Sequence, residues 1–157
     1  MTDRVRVSVT VPADPATAFA LFTEETDLWW RRGPRFRASG RTPGVLSFSP
    51  GVGGALSETF EAADGPRTVV TGTITHWEPP DHFRFEWRAI NFAPGESTTV
   101  DVRFEATQGG TRVTVEHSGW SSLRADHPVR HGKDTGAFLR TMGLWWGELL
   151  TSLRERA

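Results

Sequence analysis

A chain of 157 residues carrying ten Phe and seven Trp has the volume and aromatic area for one sizeable core, which predicts a single domain over residues 1–157. It has no Cys and no Tyr, which excludes disulfides, thiolate chemistry and a phenolic acid or base. The formal net charge of −1 leaves no global field to draw nucleic acid or an anionic membrane to the protein.

The first element predicted is a strand over Arg4 to Val11, where Val5, Val7, Val9 and Val11 alternate with polar residues. Pro12 ends it. Asp14 followed by Pro15 forms a helix start, and Phe19 and Phe22 give that short helix an apolar face. A second short helix is expected over Glu25 to Trp30. Strands follow at Val45 to Ser49, Ala55 to Ala62, Arg67 to Trp77, His82 to Ala89, Thr98 to Ala106 and Thr111 to Ser118. Their connections are short and rich in Gly and Pro, which implies an antiparallel meander. After a polar stretch from Ser121 to Lys133, a helix is predicted from about Asp134 to Arg156. Phe138, Met142, Trp145, Trp146, Leu149 and Leu153 share one face of it. Gly143 and Gly147 fall at its back, where tolerance is the simpler expectation, although each costs about 1 kcal/mol relative to Ala. The amino terminus lacks a secretory pattern and no apolar run approaches transmembrane length, so a cytoplasmic location without a membrane partner is expected.

Several stretches, in this order and spacing, carry a family resemblance. They are Val9 to Phe19, Leu28-Trp29-Trp30, Gly53-Gly54, Gly72 to Pro79, Phe83 to Trp87, Gly109 to Trp120, and Trp146 to Leu150 with Leu153. Together they resemble the START/Bet v 1-like (SRPBCC) superfamily, and within it the domains similar to the C-terminal domain of the activator of Hsp90 ATPase. The resemblance implies an α+β helix-grip fold. A curved antiparallel sheet of about seven strands, with two short helices, would wrap a long C-terminal helix and enclose a cavity. Relatives bind lipids, sterols or polyketides, and some are cyclases or regulators. The chaperone of the family name receives its activating contacts from a separate N-terminal domain. This sequence begins directly at the first strand, so Hsp90 is disfavoured as a partner.

Candidate ligand-binding residues are Trp30, Phe48, Glu58, Phe60, Phe85, Trp87, Phe104, His117, Trp120, Phe138, Met142 and Trp145. Most are aromatics on inward strand faces or on the helix's apolar face. Glu58 shares a face with Leu56 and Phe60 if alternation holds, but a one-residue slip at Gly53-Gly54 would turn it to water. His117 continues the face of Val113 and Val115. Glu58 and His117 could act as acid and base only if they meet. His127 and His131 have i, i+4 spacing, but Pro128 and Gly132 argue for a solvated loop near the cavity mouth, and no metal site or cofactor is assigned. Arg31, Arg32, Arg35, Arg37 and Arg41 give the segment between Asp27 and Glu58 a local charge of +5, suited to an anionic ligand head unless acids elsewhere pair with it.

The leading expectation is a binder of a hydrophobic or amphipathic small molecule, such as a lipid, polyketide or aromatic metabolite. It would act as a carrier, sensor or stress-related accessory protein. A cyclase, aromatase or hydrolase using Glu58 and His117 stands beside it, as does a chaperone or transcription-factor co-regulator working by protein contact. Nucleic acid is disfavoured as a partner, and edge strands allow a homodimer.

Overall fold

The computed structural model describes residues 4–88, 92–123, 127–130 and 133–157. Strand β1 (Val5–Val11) leads into helices α1 (Pro15–Glu24) and α2 (Thr26–Trp29). Six strands follow: β2 (Gly44–Phe48), β3 (Ala55–Ala62), β4 (Gly65–Glu78), β5 (His82–Trp87), β6 (Thr98–Thr107) and β7 (Gly110–Ser118). Short 3-10 turns at Trp120–Ser122 and Pro128–Arg130 precede helix α3 (Thr135–Arg156). The strands form one curled antiparallel sheet in the order β1-β7-β6-β5-β4-β3-β2, the helix-grip arrangement.

Both main helices start where the sequence predicts. Asp14 accepts the Thr17 amide at 2.8 Å and Pro15 opens α1, while Asp134 accepts the Ala137 amide at 2.8 Å at the head of α3. Arg154 and Arg156 sit in the last turn of α3, where positive charge meets the helix dipole favourably. Val100, Val102 and Phe104 of β6 and Val113, Val115 and His117 of β7 are all buried, so alternation holds in these strands.

Alternation fails in β4. One bulge lies where β3 pairs with it, between Leu56 and Ser57, and a second where it pairs with β5, between Ile74 and His76. The first leaves Thr71 as the extra residue and the second leaves Thr75, so inward positions shift from Ile74 to Trp77.

The largest buried cluster joins Trp146, Leu149, Leu150 and Leu153 of α3 to Phe19 and Phe22 of α1, Trp29 and Trp30, and the inner sheet face. A smaller cluster of Phe92, Trp120, Leu123 and Phe138 lies nearer the start of α3, and Trp87 and Met142 bridge the two. Helix α3 packs on β1, where a Cβ at Gly143 would stand 3.3 Å from Val5. Gly143 therefore marks a close approach, contrary to the expectation of mere tolerance, whereas a Cβ at Gly147 would meet nothing within 4 Å outside its own helix backbone, and that position keeps the expectation.

Candidate functional site

The segment of residues 31–43, between α2 and β2, folds over one end of the grip. Its anchor is Arg37, whose side chain is buried. Arg37 donates to the carbonyls of Arg31, Asp27, Trp30 and Gly44 and to the Asp27 carboxylate, so its guanidinium is fully used in holding chain to chain. Burial alone would raise the Asp27 carboxyl, but Arg37, the Leu46 amide and Arg32 outweigh it and leave the group below its ordinary value. Arg32 also pairs with Asp27, and Arg35 with Glu148 of α3. Three of the five arginines are thus engaged by two carboxylates, which cancel two of the five positive charges and leave these three side chains less free to receive an anion. Both acids lie outside the arginine run, with Asp27 bounding it and Glu148 far along the chain.

Glu58 is buried, at 1% exposure, and faces the interior. One carboxylate oxygen accepts the Ala38 amide and the other the Ser39 amide, each at 2.9 Å. The carboxylate that could have faced water instead holds down the overlying segment. Glu58 also borders a small cavity of about 140 Å³, lined by Trp30, Phe36, Leu56, Thr71, Trp87 and Trp145 among others.

The walls of this cavity are aromatic. Trp30 stacks on Trp87 at 6.2 Å, and Trp145 meets Trp30 and Trp87 edge to face at 5.9 and 5.8 Å. Phe36 stacks on Trp145 at 5.7 Å, and the Trp145 indole N–H donates to the Arg35 carbonyl at 2.6 Å. On the far side of Trp87 and Trp145 lies an open hollow of about 430 Å³, bordered by Trp120, Val129, Lys133, Phe138 and Met142. The two spaces share Pro34, Arg35, Trp87 and Trp145, so these residues form the partition between them.

His117 is fully buried behind that partition. Its ring lies 4.3 Å from Trp120 and 5.9 Å from Trp87. The Trp146 indole N–H donates to Nδ1 at 3.1 Å, which leaves Nε2 to carry the proton and donate to Thr98 Oγ1 at 2.7 Å. Burial depresses its pKa to about 3, so the ring is neutral around pH 7. No hydrogen bond joins His117 to Glu58; each is engaged by other partners.

The other candidates scatter. Trp120, Phe138 and Met142 border the outer hollow. Phe85 and Phe104 are packed among other aromatic rings: Phe85 against Phe48 and Phe83, Phe104 against Phe19, Phe22 and Phe83. Phe48 also borders a separate groove of about 720 Å³ beside α1, Trp77 and Pro79. Phe60 lies in an outer groove under the arginine segment. His127 is not solvated, as the sequence suggested; it is 1% exposed, its Nε2 lies 2.9 Å from Glu96, and its Nδ1 accepts the Val129 amide. Its spacing partner His131 lies outside the described residues.

The model of the family described as Activator of Hsp90 ATPase homolog 1-like protein matches residues 12–155. Among solved structures, the fold is similar to protein MLL2253 from Mesorhizobium loti, at 17% identity over 97% of this chain and 94% of that one, with a TM-score of 0.62. It is also similar to an Aha1 dimer from Colwellia psychrerythraea, at 17% identity over 97% and 93%, TM-score 0.60. A third is DynU16, described as a putative protein in the dynemicin biosynthetic locus, at 21% identity over 99% of this chain and 47% of that one, TM-score 0.63. No curated protein matches the chain in sequence. No described helix is long and apolar enough to cross a membrane.

Proposed function

The chain belongs to the Activator of Hsp90 ATPase homolog 1-like family, and on that footing we propose that it binds a hydrophobic or amphipathic small molecule between α3 and the inner sheet face, as a carrier, sensor or accessory protein. The observation that carries this reading is the aromatic partition of Trp87 and Trp145, with space on both of its sides. Swinging Trp145 aside would join the two spaces, and the joined volume falls within the roughly 300–1,000 Å³ usual for small-molecule sites. Trp30, Leu56 and Phe36 supply apolar wall, and the Thr71 hydroxyl and Glu58 carboxylate a polar end. That composition suits a mostly apolar guest with one hydrogen-bond donor. The sheet ends at β1 and β2, and the Colwellia relative is described as a dimer, which supports self-association as an accompanying property.

Native mass spectrometry of the freshly purified chain, followed by solvent extraction, tests the binding. An apolar or amphipathic compound recovered near one equivalent, and displaced on adding a saturating aromatic polyketide or fatty acid, is the expected result. If the protein flies at its bare mass and neither probe class forms an adduct or changes the tryptophan emission, the reading is wrong.

A further inference from the structure

We propose that His76, Glu78 and His82 form a site for a divalent transition-metal ion of borderline softness, such as Zn²⁺, on the outer face of the sheet. This site is separate from the interior pocket and does not rest on what that pocket binds.

Among the described residues, one group of three metal-ligating side chains converges so that a ligand atom from each lies within 4.8 Å of the others, and it is this one. His76 and Glu78 are two apart on β4, and His82 on β5 is the cross-strand partner of Glu78. The Pro79-Pro80-Asp81 turn brings Glu78 and His82 opposite each other. The bulge at Thr75 does the rest: continued alternation from Ile74 would have buried His76, but the shifted register turns it outward beside Glu78. His76 Nε2 stands 3.2 Å from a Glu78 carboxylate oxygen, and the two imidazole rings lie 4.6 Å apart.

Two further features fit a metal better than a chance surface cluster. The first is the support behind His82. Its Nε2 is 2.6 Å from Asp101 Oδ1, which leaves Nδ1 as the ring nitrogen available for a metal. A carboxylate behind a ligating imidazole is the usual device for fixing its tautomer and orientation. Asp101 is itself held by Arg84 at 2.9 Å. The second is the gradient of freedom. The His82 side chain is 8% exposed and fixed in place, while His76 at 38% and Glu78 at 65% can swing. Donors at about 2.0–2.2 Å from a tetrahedral zinc sit closer together than the 4.8 Å that bounds this group, and His76 and Glu78, 3.2 Å apart, already stand at such a spacing. The two mobile ligands can close that gap onto the fixed one.

The donor set selects the ion. Two imidazoles and one carboxylate suit zinc, nickel, cobalt or copper, whereas magnesium and calcium prefer all-oxygen shells. Arg84 beside the site also weighs against a purely electrostatic cation. Three protein ligands leave a coordination position for water, and the ion would clip the end of the β4–β5 hairpin.

The test uses the full chain stripped with chelator, titrated with Zn²⁺ by calorimetry and with Co²⁺ by visible absorption. One equivalent should bind with a Kd of about 10 µM or tighter, with a cobalt d–d band, and millimolar Mg²⁺ or Ca²⁺ should not compete. His76→Gln and Glu78→Gln alter exposed side chains and leave the fold intact; each should weaken Zn²⁺ by about tenfold or more, roughly 1.4 kcal/mol. Imidazole nitrogen NMR should show His76 and His82, and not His117, shifting with the ion. Saturable binding that both variants leave unchanged, or no one-equivalent binding below about 100 µM, overturns the proposal.

Discussion

His117 makes stability depend on acid in a calculable way. The unfolded chain presents an ordinary imidazole with a pKa of 6.5, while in the folded protein burial holds it near 3. Below pH 6.5 the unfolded state takes up a proton that the folded state refuses, so stability falls as the pH falls. The loss approaches about 1.4 kcal/mol per pH unit and continues until the folded pKa is reached. Between pH 7 and pH 5 it amounts to about 2 kcal/mol, a figure that needs only that the folded ring stays neutral at pH 5. For a chain of this size that is a drop of about 4–8 °C in Tm. Carboxylates also titrate toward the acid end, so the assay is a difference measurement. Urea unfolding is followed at pH 7, 6 and 5 for the wild type and for His117→Gln. Gln can present an oxygen to the Trp146 N–H and an amide N–H to Thr98, the same donor and acceptor pattern as the neutral ring. The variant should begin less stable and lose about 2 kcal/mol less over that range. Parallel slopes for the two proteins would refute the claim that the ring is buried and neutral.

Two other substitutions probe the site and the helix. Glu58→Gln keeps the size but turns an N–H toward the Ala38 or Ser39 amide, so it should cost about 2–4 kcal/mol, no less than Glu58→Ala, by urea midpoint. Hydrogen exchange at both amides should quicken together, and a Gln variant of wild-type stability would show that the carboxylate does not hold this segment. Gly147→Ala should stabilise by up to about 1 kcal/mol because its Cβ meets nothing, whereas Gly143→Ala should gain less against Val5. Equal Tm gains from the two would remove the case for a close contact at Gly143.

The strand pattern was legible wherever a single face is buried along its whole length, as in β6 and β7, because one inward residue sets all the others. It was not legible through β4, where two inserted residues exchange the faces without any mark in composition. That is why His76 escaped notice: its neighbour in space, His82, lies six positions away across a turn, and no metal spacing motif describes the pair. The burial of Glu58 depended on register, which the glycines before β3 left open in the sequence. The arginine run misled for a different reason. Its charge is real, but the acids that answer it are Asp27 and Glu148, one just outside the run and one on a distant helix. Such pairing is settled by tertiary packing, which local composition does not carry. The Pro and Gly neighbours of His127 imply a solvated loop, whereas contact with Glu96 and Phe92 takes it out of water.

The segment over the inner cavity is fastened through its middle, at residues 35 and 37–39, in three ways. Arg37 ties its chain to α2 and β2 from inside, Glu58 takes two of its amides from below, and Trp145 takes the Arg35 carbonyl from the side. A guest larger than the present space of about 140 Å³ makes room only by giving up some of these bonds. For a guest bound as proposed, occupancy and local order would be opposed along the way in, so its rate of arrival would have a ceiling set by how often the protein opens rather than by how much guest is present.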